Sequence, residues 1–188
     1  MRVLIITSSP NKDGLTAACG EQARLGSVFS GVDTTVVNLN EMDIAMCKAC
    51  DRGWGACRNQ NVCQQKDDFQ KLHITMNEMD GFIFVTPVYW WDMSESAKAF
   101  VDRLRRCEAF KKEGHYLSNK PFVCIAAAGG TGNGVVSCLT TMEKFVDHVK
   151  GLKYDFIGVT KRNKDYKLKT IYEAAKSMAN ELMQTRTI

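Results

Sequence analysis

The chain has 188 residues, of which 45% are hydrophobic and 24% charged, with a formal net charge of +4. That length supports one domain with a substantial core and gives no reason for two, while a charge this modest and this spread gives no nucleic-acid footprint. No run approaches the roughly 18 apolar residues of a membrane span, and the opening MRVLIITSSP lacks the basic start and long apolar stretch of a signal peptide.

In chain order, the first element is an apolar run at 2–7 (RVLIIT), read as a strand buried on both faces. The turn TSSPNKDGLTAAC follows and opens a helix at about Asp13 or Gly14, whose inward positions are Leu15, Ala18, Cys19, Leu25, Val28 and Phe29. A second strand at 34–39 (TTVVNL) leads into a long irregular stretch, roughly 40–66, and Phe69, Leu72, His73 and Met76 mark a helix behind it. The third strand, 81–86 (GFIFVT), runs into TPVYWWDMSESAKAFVDRLRR, where Ser94 reads as the N-cap of a helix reaching about Cys107 and carrying Ala97, Phe100, Val101 and Leu104 inward. A fourth strand at 121–128 (PFVCIAAA) ends in the glycine run GGTGNG, and a helix follows with Val135, Leu139, Met142, Phe145, Val146 and Val149. The last pair is a strand at 154–159 (YDFIGV) and a helix marked by Ile171, Ala174, Ala175, Met178 and Leu182. Five strands alternating with five helices predict a single-domain, three-layer α/β sandwich around a parallel sheet spanning residues 1–188.

Ligands of such sheets sit beyond the carboxyl ends of the strands, and three loops there are unusual. After the first strand, the hydroxyls of Ser8, Ser9 and Thr16, the cation of Lys12 and the backbone amides of Asn11 to Leu15 at a helix N-terminus suit an anion. An ordinary Asp-capped helix after a Ser-Pro turn is the plainer alternative. After the third strand, Pro87 stiffens a turn that places Tyr89, Trp90 and Trp91 in succession, either to cover a ligand or to pack on a neighbouring loop or subunit. After the fourth, Gly129 to Gly134 lets backbone approach something flat, as amides that tune a flavin ring do; the run does not match G-x-G-x-x-G.

The irregular stretch holds Cys47, Cys50, Cys57 and Cys63 in CKACDRGWGACRNQNVC, a spacing that lets a short loop wrap four thiolates round one metal or one iron–sulfur cluster. A loop that long in a compact domain is usually functional.

At these residues the chain resembles the NAD(P)H-dependent FMN reductase and iron–sulfur flavoprotein branch of the flavodoxin-like superfamily. TSSPNKDGLTAA resembles the family's phosphate loop, TPVYWWDMSESAKAFVDR the segment that lies against the isoalloxazine, and CKACDRGWGACRNQNVCQQKDDF its compact cysteine motif. Ser8 stands where the family commonly has Gly and Leu15 where it often has Asn, and six residues separate Cys50 from Cys57 where two are usual. The resemblance implies a flavodoxin-like sheet of five parallel strands in the order 2-1-3-4-5. It implies FMN held at the phosphate by Ser8, Ser9, Asn11, Lys12, Gly14, Leu15 and Thr16, and at the ring by Pro87, Val88, Tyr89, Trp90, Gly129, Gly130, Thr131 and Gly132. It further implies an oxidoreductase that takes hydride from NAD(P)H, or electrons from a ferredoxin-type donor, for a small-molecule acceptor. Stacking brings hydride to the flavin, so no catalytic acid or base is assigned. A homo-oligomer, dimer or tetramer, follows from the family's habit of placing the flavin at a subunit edge.

Three readings of the four cysteines stay open: ligands of a [4Fe–4S] cluster beside the flavin, ligands of structural zinc, or a loop that binds nothing and packs through Trp54. The zinc reading makes the chain an interaction domain, and a flavodoxin-type carrier without its own substrate is the other rival. Cys19, Cys107, Cys124 and Cys138 lie in predicted elements and read as core. His73, His115 and His148 are isolated and read as neither ligand nor base. The basic concentrations at Arg103, Arg105, Arg106, Lys111, Lys112 and at Lys161, Arg162, Lys164, Lys167, Lys169 read as solvated surface, with NADPH as the one anionic partner considered. No nucleic acid or membrane partner is expected, and the location expected is the cytoplasm, where eight cysteines stay reduced.

Overall fold

A computed structural model describes residues 1–109, 111 and 116–185. The elements are β1 (Arg2–Thr7), α1 (Leu15–Phe29), β2 (Asp33–Asn38), α2 (Ala56–Asn59), α3 (Phe69–Asn77), β3 (Gly81–Tyr89), β4 (Asp92–Met93), α4 (Glu95–Glu108), β5 (Pro121–Ala128), α5 (Val135–His148), β6 (Leu152–Thr160) and α6 (Lys164–Thr185). The α/β sandwich and its parallel sheet are as expected from the sequence. The strand order needs correcting: the sheet has six strands, running β2-β1-β3-β5-β6, with β4 antiparallel to β3 and off that path. Two residues are too short for an alternating or apolar pattern, which is why β4 left no trace in the sequence. The one-turn α2 inside the cysteine loop was missed for the same reason.

The central strands are apolar throughout because both their faces are covered. On one side Leu4, Phe82, Phe84 and Phe122 meet α3, α4 and α5 through Leu72, Phe100, Leu104 and Met142. On the other, Val3, Ile83, Val85 and Ile125 meet α1 and α6 through Cys19, Ala23, Ile171, Ala175 and Met178. Helices α1 and α6 approach so closely that a Cβ on Gly26 would lie 2.2 Å from the Tyr172 carbonyl oxygen. Cys19, Cys107, Cys124 and Cys138 are fully buried in these two layers, as the sequence suggested. Among the described residues no helix is long and apolar enough to cross a membrane.

Candidate functional site

The loop after β1 is shaped from three directions. The Ser9 hydroxyl accepts the Asn11 amide at 3.2 Å, Asn38 at the end of β2 donates to the Ser9 carbonyl at 3.1 Å, and Ser94 at the start of α4 donates to the Ser8 carbonyl at 2.9 Å. Gly14, not Asp13, is the N-cap of α1; among the described residues no side chain caps it, and its first turn carries no acid. First-turn amides left without a cap, with the positive end of the helix dipole behind them, favour an anion. Leu15 begins the helix, and Ser9, Asn11, Lys12 and Thr16 line one cleft of about 400 Å³.

Two side chains assigned to this loop behave differently from the expectation. Ser8 is fully buried and its hydroxyl donates to the Val85 carbonyl at 3.4 Å, so it pins the loop to β3. Lys12 pairs with Glu41 at 2.8 Å on the open surface, which offsets part of the cation it would bring to an anion.

The second cleft lies over the carboxyl ends of β3 and β5. Tyr89 pairs with Asp92 and Val88 with Met93, so Trp90 and Trp91 are the two central residues of a hairpin turn. Both have left-handed backbones, φ 48° and 64°. Such turns normally use Asn-Gly, because left-handed backbone costs an ordinary residue about 1–2 kcal/mol. Bulky residues held there point to function. Trp91 lies edge-on to Trp90, ring centroids 5.4 Å apart, and Trp90 is 89% exposed. Opposite stands the loop after β5: Gly134 has φ +80°, and a Cβ on it would lie 2.7 Å from the Trp91 Cα. Between them is a cleft of about 380 Å³ lined by Val88, Trp90, Trp91 and residues 128–133, with no charged side chain among them. A Cβ built on Gly129 or Gly130 meets no atom within 4 Å, so that wall is open to a flat ligand. Pro87 is buried within β3 and Tyr89 is 39% exposed; neither lines this cleft.

The four loop cysteines come together. Cys47, Cys50, Cys57 and Cys63 line one cavity with Arg103 and Arg106 of α4. The extra residues DRGWGA do not keep Cys57 away: they curl into a tight turn closed by the Gly53 amide on the Ala49 and Cys50 carbonyls, and Gly55 returns so close that a Cβ there would lie 3.0 Å from the Cys50 Cβ. Ala49, Asp51, Arg52 and Asn61 all have left-handed backbones, an accumulation that marks a strained loop. The cavity is narrow, about 20 Å³, room for one or two waters. As the side chains stand, no three His, Cys, Asp or Glu among the described residues are arranged to hold a single metal ion.

The residues that hold this cavity are ones the sequence reading placed in solvent. Arg103 is 1% exposed, and its guanidinium donates to both Asp67 oxygens at 2.6 and 2.8 Å, to the Ala45 carbonyl at 3.0 Å and to the Cys63 sulfur at 3.3 Å. Burial opposes its charge, but the Asp67 and Cys63 contacts outweigh burial and raise its pKa. Burial likewise pushes the Asp67 carboxyl up, and Arg103 with the Ala45 and Phe69 amides brings it net downward. Arg106, one turn on, reaches Cys57 and donates to the Gly53 carbonyl at 2.5 Å. The Nε of each arginine is buried without a hydrogen-bond partner among the described residues. A cavity with four thiols and two unsatisfied cationic donors suits an anionic group with acceptor atoms of its own, so the donor set fits an iron–sulfur cluster. Seating one requires the cysteine side chains to turn outward around it.

Lys111, also read as surface, is buried too. With His73 it meets Glu108, whose Oε1 lies 2.6 Å from His73 Nε2 and 2.5 Å from Lys111 Nζ. Arg105 is exposed as expected; Lys112 and His115 lie outside the described residues.

A family model described as NADPH-dependent FMN reductase matches residues 1–155. The chain is 26% identical over 194 residues to the iron-sulfur flavoprotein of Methanosarcina thermophila, an alignment covering 97% of this chain and 95% of that one. Among solved structures, the NAD(P)H:quinone oxidoreductase from Methanothermobacter marburgensis matches with a TM-score of 0.73 at 17% identity, over 97% of this chain and 96% of that one. A flavodoxin from the domain Archaea matches with a TM-score of 0.65 at 12% identity, over 97% and 99%. At these identities the structural likeness shows a flavodoxin-like fold.

Proposed function

Because this chain belongs to the NADPH-dependent FMN reductase family and is therefore an FMN-dependent oxidoreductase, we propose that it passes electrons from NAD(P)H, or from a ferredoxin-type donor, to a small acceptor and holds a [4Fe–4S] cluster beside its flavin. When bound, FMN supplies two- and one-electron redox chemistry, and an iron–sulfur cluster supplies one-electron chemistry. In this reading the uncapped amides at the start of α1, with Ser9, Asn11, Gly14, Leu15 and Thr16, bind the phosphate. Ser8 anchors that loop through its backbone, and Lys12 balances phosphate charge while sharing its own with Glu41. The ring lies between the Trp90–Trp91 hairpin, with Val88 at its base, and residues 129–132, while Pro87 fixes where the hairpin leaves the sheet. The cleft offers no charged side chain to the ring, which leaves hydride transfer to alignment.

Cys47, Cys50, Cys57 and Cys63 are the proposed cluster ligands. The observation that carries this part is that all four line one cavity together with two arginines whose Nε donors lack partners among the described residues. Thiolates round a lone zinc ion would also accept N–H bonds, but a cluster adds sulfide acceptors beyond the four cysteine sulfurs, so the spare donors favour a cluster. The name of the Methanosarcina thermophila relative supports the same choice. The exposed Trp90, with Trp91 49% exposed, further suits a homo-oligomer in which the hairpin meets a second copy.

Protein isolated without oxygen tests the reading through its visible spectrum, iron and acid-labile sulfide content, and NAD(P)H oxidation with added FMN. Expected are two flavin bands over a broad absorbance that bleaches on reduction, with iron and sulfide in equal amounts. Zinc without iron overturns the cluster assignment, and failure to turn over any donor or acceptor overturns the enzyme assignment.

A further inference from the structure

Helix α4 turns two charged side chains toward the cysteines. Arg103 and Arg106 are three residues apart and so share a face, which looks into the cysteine cavity. Burying an arginine this completely costs several kcal/mol unless it is paired and fully hydrogen-bonded. The paired half is present: Asp67 accepts two parallel bonds from Arg103, the geometry that fixes a guanidinium most firmly. Asp67 is fixed in turn by the Ala45 and Phe69 amides, 3.1 Å from its oxygens. The Phe69 ring underlies the guanidinium, 4.3 Å away. Of the remaining donors, Nη2 also reaches the Cys63 sulfur, and Nε has no partner among the described residues. Arg106 lines the same cavity as Cys57, donates to the Gly53 carbonyl, and its Nε likewise has no partner among the described residues.

A fold needing only stability could replace the Arg103–Asp67 pair as a whole with apolar side chains of similar volume at little cost. We propose that Arg103, locked by Asp67, and Arg106 form a donor platform that positions Cys63 and Cys57 and offsets negative charge on the sulfurs, raising the reduction potential of the group the four cysteines hold. This rests on the cluster assignment above. The reasoning is electrostatic: adding an electron at four thiolate ligands increases their negative charge, and fixed cations with N–H donors a few ångströms away stabilise that reduced state more than the oxidised one.

The test uses full-length protein purified without oxygen, in wild-type form and as Arg106→Gln, Arg106→Lys and Arg103→Lys. Three readouts are taken: FMN content, iron and sulfide per chain, and the midpoint potential of the cluster by dye-mediated titration followed by electron paramagnetic resonance. Arg106 is only partly buried, so Arg106→Gln should fold and keep its FMN. Its midpoint is expected to move to more negative potential, with Arg106→Lys returning part of the shift. Arg103→Lys keeps the charge but loses the fork on Asp67 and the bond to Cys63; lower iron occupancy or a negative shift is expected. Wild-type protein lacking iron and sulfide overturns the cluster assignment and this proposal with it. Wild-type protein with iron, and variants matching it in both occupancy and midpoint, overturns this proposal alone.

Discussion

Gly134→Ala and Gly129→Ala sit five residues apart in one loop yet should fail in different ways. At Gly134 the backbone is left-handed, which costs a residue with a Cβ about 1–2 kcal/mol. The new Cβ would also stand 2.7 Å from the Trp91 Cα. Ordinary contact begins near 3.4 Å, so the hairpin and the glycine loop must part by roughly 0.7 Å, and Trp91 cannot yield by turning a side chain because the clash is with its backbone. For a domain of this size each 1 kcal/mol lowers Tm by about 2–4 °C, giving a fall of roughly 2–8 °C from backbone strain alone. At Gly129 an added Cβ meets no atom of the other described residues within 4 Å, so Gly129→Ala should leave the FMN-free protein's Tm unchanged while its methyl intrudes on the cleft proposed for the ring. A loss of 1.4 kcal/mol there weakens FMN tenfold. Thermal unfolding of FMN-free protein and FMN titration by fluorescence quenching separate the two effects. The reasoning fails if Gly134→Ala melts with wild type, or if Gly129→Ala lowers Tm and leaves FMN affinity intact.

Trp90→Asn places a residue that tolerates the left-handed region in the hairpin turn, and should stabilise FMN-free protein by up to about 1 kcal/mol in urea unfolding while FMN binding weakens. Burial raises the Glu108 carboxyl, but hydrogen bonds from His73 and Lys111 outweigh it and hold its pKa below 4.5; this contribution is therefore present above that value and lost as pH falls through the lowered one. Glu108→Gln should cost about 1.5–3 kcal/mol near neutrality and flatten the fall of stability with pH below about 4.5; a variant as stable and as acid-sensitive as wild type would contradict the assignment. Burial pushes the thiols of Cys19, Cys107 and Cys138 up to about 12 and that of Cys124 higher still. Iodoacetamide at about pH 8 should leave all four unmodified in native protein by mass spectrometry, and labelling of any one would show that its helix or strand opens.

Much of the frame was legible because a strand buried on both faces announces itself by composition. RVLIIT coincides with β1 and PFVCIAAA with β5, and Ser94 caps α4 with its hydroxyl accepting the Ala97 amide at 3.4 Å. The convergence of the cysteines was half legible: spacing allowed it, but only the turn through Gly53 and Gly55 shows how the extra residues are absorbed. The hairpin was hidden because Trp-Trp is not a residue pair that left-handed turns select. Arg103 was hidden for a different reason. In sequence it lies among Asp102, Arg105 and Arg106, beside the apolar positions Phe100, Val101 and Leu104, and nothing local distinguishes an arginine facing water from one facing a thiol. Its partner Asp67 is 36 residues away, a separation that only the folded loop closes.

Helix α4 is capped by Ser94, whose hydroxyl holds the loop after β1, and nine residues later turns Arg103 toward the cysteines. At 1.5 Å per residue these points are about 14 Å apart along one rigid rod. The cysteine loop is therefore not a detachable module. Trimming it to a short turn would strip Asp67 and Cys63 from a guanidinium already committed to the interior, and the unpaired charge would press on the same helix that sets the first loop. A relative that dispenses with the four cysteines should carry an uncharged residue at the position of Arg103, so that one helix site reports which kind of chain it is.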